Sequence, residues 1–216
     1  MADYIDVIYN LAKKLRFTKV TVCKAAIMCH NFRARTSEGE YDMKFIAAAA
    51  VSSAIRLNKE DVDNQTKIDA LYEVLNGRTT TELADNSLKT FEKHLIYLEI
   101  FLFKMLEGNT SHKVALEFLP LFLMSIRTYD YMEEKWSSIC VQSAKLALEM
   151  YNCVECISFM PESLAAAAIC ISLDLVDPSE DNLALCQTLC PFLDMKMLND
   201  ITECICNPLK NSIQMN

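Results

Sequence analysis

Glycine is nearly absent from this chain, with three among 216 residues, at positions 39, 77 and 108. So few, so widely spaced, cannot build a phosphate-cradling loop, and they argue against a loop-rich or β-rich design. Histidine is as scarce: His30, His94 and His112 lie far apart, so no Ser or Cys nucleophile has a base near it in sequence. An excess of basic charge is missing too. Lys and Arg number 21 against 29 Asp and Glu, a net charge of −8, whereas phosphate recognition needs clustered cations. No nucleic acid is expected as a partner. Long apolar runs are also lacking. Leu95 to Leu106 is cut by Glu99 and Lys104, and Val114 to Ile126 by Glu117 and Pro120, so neither reaches the roughly 18 uncharged residues of a membrane span. The opening Met-Ala-Asp-Tyr-Ile-Asp has no basic segment leading into an apolar core, so an intracellular protein, nuclear or cytoplasmic, is expected.

Ten cysteines are present. Cys23, Cys29, Cys170, Cys186 and Cys190 sit at helical spacing among apolar residues, which reads as buried free thiols in a reducing compartment. Cys153-Val-Glu-Cys156 has zinc-like spacing, and Cys204-Ile-Cys206 follows downstream, but no second Cys-x-x-Cys or His pair completes a ligand set. No metal, disulfide, cofactor, small-molecule ligand or catalytic residue is expected. A non-catalytic binding protein is the reading that remains.

What is abundant is alanine in runs. Ile46 to Val51 is an apolar residue, four alanines and a valine, continued by Ser52, Ser53 and Ala54. Alanine is the best helix former, and a helix small or apolar all round must be enclosed by other helices. Leu164 to Ile169 repeats the pattern 118 residues later. At the same spacing Cys23 to Met28 falls on Val141 to Leu146, and Phe32 on Met150. This repeat predicts an all-α fold of two lobes, 1–110 and 111–216, each built around a buried alanine helix.

Five helices fit each lobe. In the first, Ile5, Ile8, Leu11, Ala12 and Leu15 form one stripe over Asp3 to Leu15. Thr18 or Thr21 can cap a second helix to about Arg35, and Asp42 the alanine helix. Asp61 to Gln65 is a polar break before a short helix that Asn76-Gly77 ends, and a long helix runs from Ser87 to about Glu107. In the second lobe, Ser111 opens a helix that Pro120 should kink or split. Glu133 to Tyr151 follows, Pro161 starts the alanine helix, Asp177-Pro178 a fourth, and Asp194 caps a fifth ending near Asn207-Pro208.

Two charges stand out. Glu99 lies on an apolar stripe, with Leu95 and Ile96 a turn before it and Leu102 and Phe103 a turn after. Such a carboxylate is costly without a partner. Arg56 closes the alanine helix. An internal ion pair, or an arginine snorkelling from a helix end, is the plain explanation. The sharper one is a pair of opposite charges that faces another protein, with Glu99 solvated until that protein binds. The acidic pairs Glu133-Glu134 and Glu38/Glu40 sit in polar surroundings and read as solvated.

Over nearly its whole length the chain resembles the cyclins, most closely the transcription-type and related members. Tyr4 to Arg33 is similar to their opening helix pair, with Leu15, Val20, Thr21, Ala25 and His30-Asn31-Phe32 where a His-Arg-Phe is frequent. Ile46 to Glu60 resembles their alanine-rich third helix, Ile96 to Leu106 the fifth with its Leu98-Glu99, and Trp136 to Val176 the second cyclin box. The basic residue ending the third helix is Arg56 rather than Lys, and the acids that usually follow it are displaced to Glu60 and Asp61.

The resemblance implies two tandem five-helix cyclin boxes that bind and activate a cyclin-dependent protein kinase as a heterodimer, in cell-cycle or transcriptional control. It places kinase contacts at Arg56 and Glu99, with Leu57 and Phe103 as apolar neighbours. Two other functions fit the same fold: a scaffold that binds proteins without activating a kinase, and a module resembling general transcription factor IIB. The last needs a basic face, which a charge of −8 disfavours.

Overall fold

Alanine explains the layout of the first half of the protein. In a computed structural model, which describes residues 3–78, 80, 85–110, 112–127, 135–176, 178–179 and 181–203 (backbone only at 85–86), every described element is helical, with no strand. The chain divides into two compact units, Met1–His112 and Lys113–Asn216.

In the first unit α1 spans Asp3–Leu15, α2 Lys19–Ala34, α3 Met43–Leu57, α4 Asn64–Asn76 and α5 Asp85–Met105. The Ile46 to Val51 run lies in α3 and is at most 1% exposed at every position. Methyl-sized side chains leave no room for water and let four helices, α1, α2, α4 and α5, close on α3. From α1, Ile5, Ile8 and Leu11 point inward and are fully buried, worth about 1.5–3 kcal/mol each. Three rings join α2 to α5: Phe32 stands edge-on to Tyr41 at 5.3 Å and to Phe101 at 5.8 Å between centroids. Arg35, past the end of α2, donates to the Met105 carbonyl and pairs with Glu107, fixing where α5 ends.

Caps fall where short polar side chains were available. Thr18 caps α2, Asp42 accepts from the Lys44 amide, and Asp63 accepts from Thr66. Gly77 ends α4 in the left-handed conformation, φ 65°.

In the second unit α6 spans Ala115–Ile126, α7 Trp136–Met150, α8 Pro161–Val176 and α9 Asp181–Leu189, and α10 covers 195–203. A 3₁₀ turn, Val154–Ser158, precedes α8. Leu164 to Ile169 is at most 2% exposed, packed by α6, α7 and α9. The Tyr151 hydroxyl accepts from the Ala115 amide at 2.8 Å, and Glu117 reaches back to the Val114 amide, so two otherwise orphaned donors of α6 are satisfied.

Two boundaries differ from the sequence reading. Pro120 does not split α6: it costs one backbone bond and sits on the exposed face, while Ala115, Leu119, Phe122, Leu123 and Ile126 pack as one stripe. Pro178 does not start α9, which begins at Asp181 with Ser179 accepting from its amide. Ser111, Glu133-Glu134, Asp177, Cys204, Cys206 and Asn207-Pro208 lie outside the described residues.

Candidate functional site

The end of α3 is built by an unusual turn. Asn58 caps the helix, Lys59 is left-handed at φ 53°, and the Glu60 amide reaches back to the Ile55 carbonyl at 3.0 Å. That turn aims the Glu60 carboxylate at the start of α2. There it accepts from the Thr18 amide at 3.0 Å and from the Thr18 and Thr21 hydroxyls. Asn58 donates to Thr21 at 2.8 Å and accepts from Lys24 at 3.0 Å. Burial alone would push the Glu60 pKa up, but the hydrogen bonds from Thr18, Thr21 and Asn58 outweigh it and hold the carboxyl below its usual value. The α3 terminus, with Arg56 and Leu57 on it, is thereby tied to α2.

Across from it, α5 presents the other half of the site. Arg56 Nη2 meets Glu99 Oε2 directly. The pair is lopsided: the Arg56 side chain is 65% exposed and that of Glu99 only 10%. Around it, Leu57 (47% exposed), Ile96 (49%), Ile100 (48%) and Phe103 (53%) leave apolar surface open. With Lys67 of α4 they border a groove of about 900 Å³ within the first unit.

Gly108 sets the ring of Phe103. At φ 74° it turns the chain off α5, and a Cβ there would stand 3.2 Å from the Phe103 ring.

All four residues singled out from sequence, Arg56, Leu57, Glu99 and Phe103, line this one groove. The two explanations of Arg56 and Glu99 turn out not to exclude each other, since the two are paired within the chain and also border an open surface. The expectation that Glu99 is solvated in the free protein is corrected: Arg56 and the groove wall cover its carboxylate. Sequence reasoning missed Lys67 and the Glu60 network. Glu60 joins residues about 40 positions apart, and no local pattern announces such a contact.

Elsewhere the chemistry is quiet. No group of three metal-ligating side chains occurs among the described residues. The eight described cysteines are free thiols. Burial pushes the Cys29 thiol well up, and a hydrogen bond with Cys170, together with burial, does the same to Cys186. No described helix is long and apolar enough to cross a membrane.

The structure therefore defines an all-helical protein with an apolar groove and an ion pair at its edge. Among known proteins the chain is similar to Cyclin-T1-5 of Arabidopsis thaliana, 25% identical over 174 residues, which is 77% of this chain and 28% of that protein. It thus spans just over a quarter of the relative's length. This similarity supports a cyclin-like relationship at most. No protein-family model matches the chain.

Proposed function

We propose that the protein is a non-catalytic regulatory subunit, its two units being two cyclin boxes, that binds and activates a cyclin-dependent protein kinase through the groove of the first unit. One observation carries this reading: Arg56 and Glu99 meet at the rim of an open groove, between Leu57 on α3 and Phe103 on α5. Opposite charges set in exposed apolar surface suit a helix of another protein better than a small molecule. The likeness to a cyclin-named relative supports the choice of a kinase as that protein. Activation would be a shift in population. The subunit would bind only the kinase conformation whose active-site Lys–Glu pair is formed, and so would raise its share. The site of action in this reading is the nucleus or the cytoplasm.

The test is to mix the purified protein with a panel of cyclin-dependent kinases and follow phosphorylation of a peptide substrate. The expected result is activation of at least one kinase, abolished by Phe103→Asp. That change is tolerable for folding because the ring is half exposed. If no kinase gains activity, the reading fails. Stable binding without activation would make the protein a scaffold instead.

A further inference from the structure

The groove carries three cations and three acids, but they are unequally engaged. Its charged residues are Arg56, Lys59, Lys67, Glu60, Glu92 and Glu99. Each acid is already engaged within the unit: Glu99 by Arg56, Glu60 by Thr18 and Thr21, and Glu92 by Asn64 at 3.2 Å. Of the cations only Arg56 is engaged. Lys59 is exposed at the rim, and Lys67 is half-buried on α4, and neither side chain has a hydrogen-bond or ion-pair partner among the described residues.

Lys67 is the telling one. Burial pulls its pKa below the usual lysine value, and Arg56 adds to that, while Glu99 and Glu92 lie near enough to oppose it without pairing. Lys67 has no direct partner among the described residues, and the two acids that act on it are bonded to Arg56 and Asn64, so its ammonium is open to a carboxylate delivered from outside. The surrounding surface says what delivers it. Ile96, Ile100 and Phe103 stand at i, i+4 and i+7 on α5, an exposed ridge about 10 Å long that fits between the side-chain rows of another helix.

We infer that the groove selects a partner helix carrying an acidic side chain beside an apolar stripe, and that Lys67 is the residue that reads the acid. The inference takes the groove to be a partner site, as proposed above, and adds the chemistry of the occupant. Lys67 is then a specificity residue: it distinguishes partners that share the apolar stripe but differ in one charge. Arg56 cannot do this alone, because Glu99 already neutralises it.

Two synthetic helical peptides test this. They share a stripe of leucines at i, i+4 and i+7 and differ in one flanking position, Glu in one and Lys in the other. The wild-type protein should bind the Glu peptide about tenfold more tightly at low salt. Lys67→Glu should reverse the order, Lys67→Arg should keep it, and Phe103→Ala should weaken both peptides. Circular dichroism checks that each variant is folded. The same order in Lys67→Glu as in wild type, or no order at all, overturns the inference, as does failure of both peptides to bind. The kinase reading fails separately. Peptides ranked as expected with no kinase activated would sink that reading alone. A kinase lost by Phe103→Asp but retained by Lys67→Glu would sink the present inference alone.

Discussion

Glu60 is the residue on which the local geometry of the groove depends. It holds the last turn of α3 against the first turn of α2 through hydrogen bonds that are stronger when its carboxyl is ionised. A carboxyl whose folded pKa is depressed adds stability above its unfolded value of about 4.3 and loses it as pH falls through the folded value. Thermal melts between pH 7 and 3 should therefore show stability falling below about pH 4.5. Glu60→Gln should shallow that fall and lower stability at neutral pH. An unchanged acid limb in the variant would show that other carboxylates cause it. The residue scale is also where sequence reading stopped short. Arg56 and Glu99 were legible because each is a charge in an apolar setting. Glu60 and Lys67 were not, because their significance lies in which side chains on other helices do or do not reach them.

At the scale of the element, the alanine helices were the most legible feature of the chain. A run such as Ala47 to Ala50 has no polar face to offer water, so its burial follows from composition alone. Boundaries were less legible where proline was involved. Pro120 is read as a breaker from the lost donor, yet an unbroken stripe of buried side chains on either side holds α6 together. The close approach of four helices to α3 predicts sensitivity to bulk. Ala48→Leu, and likewise Ala166→Leu in α8, should overpack the contact and cost on the order of 1–3 kcal/mol in denaturant unfolding. A loss below about 0.5 kcal/mol would mean that the helices yield easily. The end of α5 gives a second element-scale test. Gly108→Ala puts a methyl against the Phe103 ring at a left-handed position and should destabilise by about 1–2 kcal/mol. It should also weaken partner binding, because the ring must move. Retained affinity would separate Phe103 from the binding surface.

For the molecule as a whole, a charge of −8 is unfavourable to phosphate recognition, and a protein partner is what is proposed above. The groove of the first unit is where such a partner is proposed to act. The most direct test is the affinity of an activated cyclin-dependent kinase for the wild type, Arg56→Ala, Glu99→Ala and the double variant, with the thermal stability of each protein alone. Because Arg56 is largely in solvent, Glu99→Ala should cost the fold only about 0.5–1 kcal/mol, whereas Arg56→Ala leaves the covered Glu99 carboxylate unpaired and should cost about 1–3 kcal/mol. The account predicts that each single variant loses kinase affinity at least tenfold, about 1.4 kcal/mol, while remaining folded. Full kinase affinity in both single variants, with only stability reduced, would make the pair a purely internal one and contradict the account.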